Sequence, residues 1–277
     1  MRFSTVLVFS LFLTNLSAQS LKVMTYNIRY DNPGDGVNAW PNRVDKVATL
    51  IRNHNPDIIG VQEALYHQLQ DLIRKLPDYS YVGVGRDDGK QQGEFSAILF
   101  RNSRFGLLRD STFWLSETPD VPGSKSWDAA FTRVVTKAKF FDKQLKTDFI
   151  VLNTHFDHIG KEARLNSGAY IAGAVAGSRS TQAIPVLVTG DFNCERTEET
   201  YRNVTIKDLS DTKPPNDKTG TFCGFEVGKM ECKIIDYIFQ TNEWILKNYS
   251  VITDNDGTWY PSDHLPVMAE FELSLAK

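Results

Sequence analysis

Six short segments of this chain each join a run of apolar residues to polar groups able to bind metal or move a proton. They are Met24–Asn27, Gly60–Glu63, Leu152–His155, Gly190–Asn193, Ile235–Phe239 and Ser262–Val267. A carboxylate or imidazole at the end of a buried strand costs desolvation energy unless metal or hydrogen bonds compensate it. One such residue could be a cap or a turn. Six of them, spread along one chain, require a fold that brings strand ends to a common place. The chain therefore reads as an enzyme with one shared polar site, and as a metal-dependent one.

At the N-terminus, Met1-Arg2 precedes the apolar run Val6–Leu13, and Leu16–Ala18 offers a small residue for cleavage before Gln19. The run is too short to span a bilayer as a helix. Residues 1–18 are expected to be a signal peptide. The remaining chain, 19–277, is expected to be one domain, monomeric, secreted or periplasmic, and without a stable membrane anchor. It is long enough to bury a proper α/β core. Lys and Arg number 31 against 34 Asp and Glu, so no global basic field points to tight binding of long duplexes. A local basic cleft remains compatible with that balance. In an oxidising compartment Cys223 and Cys232 could face each other across neighbouring strands, leaving Cys194 odd; three free thiols fit the spacing equally well. No Cys/His spacing resembles a structural zinc site.

Periodicity orders the rest. Leu21–Ile28 alternates as a strand, Val44, Val47, Ala48 and Ile51 follow helical spacing, and Asp57–Gln62 is a short buried strand. Leu65, Leu69, Leu72, Ile73 and Leu76 give a helix stopped by Pro77. Tyr79–Val84, Phe95–Phe100, Arg104–Leu115, Arg133–Phe141 and Asp148–His155 read as strands. Lys161–Ser178 reads as a helix with Leu165, Ile171, Ala172 and Val175 inward. Pro185–Thr189, Ile234–Gln240, Trp244–Ile252 and Pro266–Leu273 close the chain as strands. Two successive strand-and-helix series without a linker predict two sheets packed face to face, with helices covering the outside.

The polar ends fall into chemical groups. Asn27 and Glu63 leave predicted strands as an amide and a carboxylate, a pair suited to a hard cation such as magnesium. Taken singly, each is equally well a strand-end turn or a helix N-terminal charge. Asp191 and Asn193 follow an apolar run through Gly190, whose freedom permits a sharp turn; an Asx-turn is the plain alternative. His264 has the side chain suited to proton transfer near neutrality, and Asp236, inside an apolar strand, is its natural partner. His155 and His158 could form a two-histidine zinc site, but their segment is not the helical H-E-x-x-H arrangement. His54 and His67, on helices, read as structural.

The order N…QE…NTH…GDFN…IDYIF…SDHLPV, which spans essentially all of residues 19–277, resembles the endonuclease/exonuclease/phosphatase superfamily. That resemblance implies a four-layered α/β sandwich, with two packed, mostly antiparallel sheets flanked by helices, and Mg2+- or Mn2+-dependent cleavage of a phosphoester. Carried over by position, Glu63 would be the principal metal ligand with Asn27 and Asp263 nearby. Asp191 and Asn193 would align the attacking water and contact the phosphate. His264, oriented by Asp236, would be the acid/base or phosphate-stabilising imidazole, and His155 would bind a phosphate oxygen or assist the leaving group. The segments Phe113–Pro119, Gly123–Asp128 and Phe131–Arg133 resemble a secreted bacterial subgroup near the nocturnin-like deadenylases. In that subgroup Arg29, Trp127, Arg133, His158 and Arg164 would line the substrate cleft; surface charge and loop packing are the plain alternatives. The tryptophan, cysteine and arginine pattern of the 5-phosphatases is absent near Trp259–Val267. The substrate class implied is a phosphodiester, with a single-stranded nucleic acid or nucleotide as partner. Sphingomyelinase-like, sugar-phosphate phosphatase and non-catalytic binding readings stand as alternatives.

Overall fold

Alternation along β1 (Leu21–Asn27) shows how the layers are made. Leu21 and Val23 face one hydrophobic core, while Met24 and Tyr26 face another on the opposite side of the strand. The computed structural model describes residues 19–206 and 208–274; the expected signal peptide, 1–18, lies outside the described residues. After β1 come a 3-10 turn (Pro33–Asn38), α1 (Trp40–His54), β2 (Ile58–Ala64), α2 (Tyr66–Lys75), β3 (Tyr79–Val82), β4 (Phe95–Arg101) and β5 (Phe105–Trp114). The chain continues through β6 (Val134–Asp142), β7 (Thr147–His155), α3 (Lys161–Arg179), β8 (Val186–Asp191), α4 (Glu199–Val204) and β9 (Ser210–Asp211). It ends with β10 (Asp236–Gln240), β11 (Trp244–Val251) and β12 (Val267–Leu273). Among the described residues no helix is long and apolar enough to cross a membrane.

Two six-stranded sheets result, in the orders β11-β12-β1-β2-β4-β3 and β5-β6-β7-β8-β10-β9. Each is antiparallel except for one parallel pair, β1 with β2 and β7 with β8. Their inner faces share a core of Val23, Ile58, Phe100, Phe140, Phe149 and Ile238. Helices α1 and α2 cover the first sheet, with Val47, Ile51, Leu69 and Leu72 against Tyr26 and Val61. Helix α3 and Val204 of α4 cover the second, against Leu152, Val186 and Val188. The four layers expected from the resemblance are present.

The buried face of α3 departs from its sequence reading. Ile171 and Val175 are buried, but Leu165 and Ala172 are only half-buried, and Ala163, Ser167 and Gly168 are buried instead. The cause is α4, which packs so closely that a Cβ on Gly168 would stand 3.0 Å from the Thr200 carbonyl oxygen. Short elements such as α4 and β9 span too few residues to leave a period in the sequence.

The inter-sheet layer turns polar at one end. The amide of Gln62 donates to Thr25 Oγ1 at 3.0 Å and to Asn153 Oδ1 at 2.6 Å, and Thr189 Oγ1 donates to Asn153 Oδ1 at 3.0 Å. Gly60 permits this contact between sheets: a Cβ there would lie 2.1 Å from Thr189 Oγ1. Each of these buried groups is a strand neighbour of a site residue, and the parallel pairs β1/β2 and β7/β8 all end here.

Candidate active site

Asn27 lies at the centre of the polar end, fully buried. Its Nδ2 donates to Glu63 Oε1 and Asp191 Oδ2, both at 3.0 Å, and stands 3.5 Å from His264 Nε2. One amide thereby joins the two sheets and three of the six segments. Glu63 reaches it through an irregularity in the β2–β4 pairing between Val61 and Ala64, with a left-handed backbone at φ 63°. Such a conformation is costly for a residue with a Cβ and marks a side chain re-aimed by its surroundings. Arg29 and Asn193 share it, at φ 58° and 46°. Glu63 Oε2 also accepts from the Tyr30 amide at 3.2 Å.

Antiparallel pairing of β10 with β8 sets Asp236 directly opposite Asp191. Both carboxylate oxygens of Asp236 lie within reach of His264 Nδ1, at 3.2 and 2.9 Å, as expected from the sequence. Burial opposes the charged imidazolium, but Asp236, Asp191 and Asp263 outweigh it and raise the His264 pKa well above the usual histidine value. His155 is its opposite. Burial, with Arg133 and Arg86 adding repulsion, drives its pKa well below the usual value. Its Nε2 is 3.5 Å from Asp191 Oδ2, while its Nδ1 is 3.8 Å from Glu94 Oε2 and has no hydrogen-bond partner among the described residues. The site therefore holds one imidazole favouring the charged form and one favouring the neutral form. Burial also pushes Asp191 up to about 7, reinforced by Asp236.

These groups open on a cavity of about 790 Å³. Arg29, Glu63, Arg133, His155, His158, Asp191, Asn193, Asp263 and His264 line it; Asn27 and Asp236 stand behind as buried supports. Arg29 lies across the carboxylates, 3.9 Å from Glu63 and from Asp263 and hydrogen-bonded to Asp35. Arg133 donates to His158 Nδ1 at 3.2 Å and keeps two buried nitrogens, Nε and Nη1, without hydrogen-bond partners. Trp127 and Arg164 do not line the cavity. Trp127 sits in the loop between β5 and β6, and Arg164 donates to the Asp157 carbonyl while approaching Glu198 at 4.0 Å. Residues that the sequence reading did not assign to the cleft also line it: Tyr30, Arg86, Glu94, Phe131, Glu195, Glu198, Phe222 and Lys233. Glu94 is hydrogen-bonded to Arg86 at 2.6 Å, and burial raises its pKa to about 7. Phe131 stacks on His158 with ring centres 5.3 Å apart.

The donor set suits a hard divalent cation. Oxygen or nitrogen donors of Glu63, His155 and Asp191 lie within 4.8 Å of one another, and a second such cluster joins Asp191, Asp236 and His264. Asp263 is also held in a raised-pKa state, by burial and by its neighbour Glu63. Several carboxylates confined in one buried place, with Arg29 as the cation lying across Glu63 and Asp263, form the oxygen-rich setting that magnesium or manganese uses. His158 joins neither cluster; its neighbours are Arg133 and Phe131. The two cysteine alternatives are resolved: Cys223 and Cys232 are bonded, within a loop rather than across long strands, and Cys194 is buried and free.

Comparison with known proteins bears on the family and the fold. The model of the Endonuclease/Exonuclease/phosphatase family matches residues 24–264. A family protein of known structure from Bacteroides thetaiotaomicron is 38% identical, with 93% of this chain and 99% of that one covered at a TM-score of 0.87. A mannosyl-6-phosphatase from the same organism is 37% identical over 91% of this chain and 99% of its own, at a TM-score of 0.86. The human nocturnin catalytic domain shares the fold at 20% identity, covering 92% and 94%, with a TM-score of 0.71. From the first strand to the final histidine segment, sequence and fold agree: the chain belongs to the endonuclease/exonuclease/phosphatase family.

Proposed function

We propose that this chain is a divalent-metal-dependent phosphoester hydrolase that acts on small phosphomonoesters, sugar phosphates foremost. Glu63, with Asp191 and Asp263 around it, would hold the cation, magnesium or manganese, and Asn27, whose Nδ2 donates to Glu63 and Asp191, would fix the carboxylates in place. Bound there, such an ion neutralises charge developing on phosphoryl oxygens. The protein's own groups supply the rest. His264, kept charged by Asp236, donates a hydrogen bond or proton to a phosphate or leaving-group oxygen. Asp191, fixed by the Asn193 amide at 3.0 Å, accepts from an attacking water. Asn193, His155 and the unpartnered Arg133 nitrogens would orient the remaining phosphate oxygens.

The observation that carries the choice of substrate is the mixed lining of the cavity: Glu195, Glu198 and the exposed Lys233 line it together with an aromatic face from Phe131 and His158. A phosphorylated sugar can offer hydroxyls to these charged groups and C–H groups to the ring. The 37% identical mannosyl-6-phosphatase supports the same direction. The Phe131–His158 stack favours one second reading, a nucleotide or single-stranded nucleic acid end whose base would lie on that ring. The disulfide supports an oxidising location, in keeping with secretion or the periplasm.

With Mg2+ or Mn2+, phosphate release should be measured on hexose 6-phosphates and nucleoside monophosphates, nucleotide release on single-stranded oligonucleotides, and phosphocholine release on sphingomyelin. Turnover of hexose phosphates at the highest kcat/KM is expected. Preferential cleavage of oligonucleotides or sphingomyelin would replace this reading.

A further inference from the structure

Phe222 and Lys233 line the cavity although neither belongs to the six segments. They face each other as an isolated bridge: Lys233 N donates to Phe222 O, and Phe222 N to Lys233 O, both at 3.0 Å. The segment Thr221–Cys223 runs between the two stretches that carry Asp236 and His264. On one side Thr221 Oγ1 accepts from the backbone N–H groups of Ile235 and Asp236 at 3.1 Å. On the other, Cys223 N donates to the Asp263 carbonyl at 3.0 Å, and Leu265 N donates to the Thr221 carbonyl at 2.6 Å. The peptide groups flanking both members of the pair are thus tied to one short segment. The Phe222 ring also packs on the His264 ring, with centroids 4.8 Å apart. Directly beyond the Phe222–Lys233 bridge, Cys223 and Cys232 close the loop covalently across nine positions of sequence.

We propose that the Cys223–Cys232 disulfide and Phe222 form a clamp that positions His264 on Asp236 and holds Lys233 at the cavity. This rests on the reading of His264 as the acid/base group. Without the cross-link the loop loses its covalent closure and is held by scattered backbone hydrogen bonds, among them the Phe222–Lys233 pair, Cys223 N to Asp263 O and Val227 N to Thr258 O, and a segment so held opens at lower free-energy cost than the cross-linked one. Phe222 is then free to leave the imidazole. Reduction by a dithiol delivers two electrons and two protons to the S–S bond, giving two thiols while the dithiol closes to its own disulfide. The remaining cysteine, Cys194, is buried and free.

The test compares oxidised wild type, wild type reduced with dithiothreitol, Cys223→Ser/Cys232→Ser, Phe222→Leu and Phe222→Tyr. Turnover of the best phosphoester is read at a temperature where thermal unfolding shows each protein folded. The imidazole N–H signal of His264 is read by NMR, which five histidines make tractable. Reduction and Phe222→Leu should each lower kcat about tenfold or more, in line with the sensitivity of catalysis to misplacement. Phe222→Tyr should restore it, and the His264 signal should move on reduction. If the reduced protein unfolds, Phe222→Leu with the disulfide intact decides. Unchanged kcat together with an unmoved His264 signal would overturn the clamp. A His264 signal that moves in a protein that hydrolyses no phosphoester would keep the clamp and reject the hydrolase reading.

Discussion

Asp236 and His264 show how far a single residue's environment can be read from sequence. An aspartate within an apolar strand needs a partner, and the contact is found at 2.9 Å. Removing its charge has a defined direction. Asp236→Asn takes away the strongest influence raising the His264 pKa, so the limb of the pH–rate profile owned by His264 should move to lower pH. That direction holds whether the imidazole acts as acid or base, and turnover should fall on the order of a hundredfold. A profile unmoved in limb and height would reject the pairing. Glu94 was not legible by the same reasoning. It precedes an apolar run instead of ending one, and it faces His155, Arg86 and Arg133 only after folding. Neither Trp127 nor Arg164 can be excluded from a cleft by sequence, because the loop and helix that turn them elsewhere carry no local signature.

At the scale of elements, strand direction explains what was found and what was missed. Polar residues that end β1, β2, β7 and β8 were conspicuous because those strands run toward the site. Glu94 immediately precedes β4, which is antiparallel to β2, and so arrives at the same end from the opposite direction. A polar-to-apolar junction carries the same information as its reverse: Glu94 stands before Phe95 as Asp263-His264 stand before β12. The β2 irregularity behind Glu63 had no sequence cue, since register depends on the partner strand. Gly60 is the element's most testable point. Gly60→Ala forces a Cβ to within 2.1 Å of Thr189 Oγ1 and 2.5 Å of Asn153 Oδ1. Overpacking of this kind costs about 1–3 kcal/mol. A fall in Tm of several degrees is expected from calorimetry, and an unchanged Tm would show that the sheets can part there without cost.

For the whole molecule, the layer order follows from periodicity and from the resemblance, whereas the mixed acidic, basic and aromatic lining of the cavity comes only from three dimensions. The two sheets bring their acidic groups together across the core's polar end, and this concentration has a pH signature. In the metal-free protein, Asp191 stays protonated up to about 7, while an unfolded aspartate ionises near 4. A carboxylate with a raised folded pKa makes stability fall as pH rises between those values, and contributes nothing below the lower one. His264 acts in the same direction: its raised pKa stabilises the fold below the unfolded histidine value, and that stabilisation is lost as pH rises through its folded pKa. The gain in Tm on adding metal should therefore grow from pH 5 to pH 8, and a gain independent of pH would contradict the carboxylate assignment. Cation binding at this cluster is the claim on which the catalytic account depends, and titration calorimetry of Mn2+ into chelator-treated protein tests it most directly. Saturable binding is expected for the wild type, weakened at least about tenfold, equal to 1.4 kcal/mol, in Glu63→Gln and Asp191→Asn. Absence of binding to the wild type, or equal binding by all three folded proteins, would contradict it.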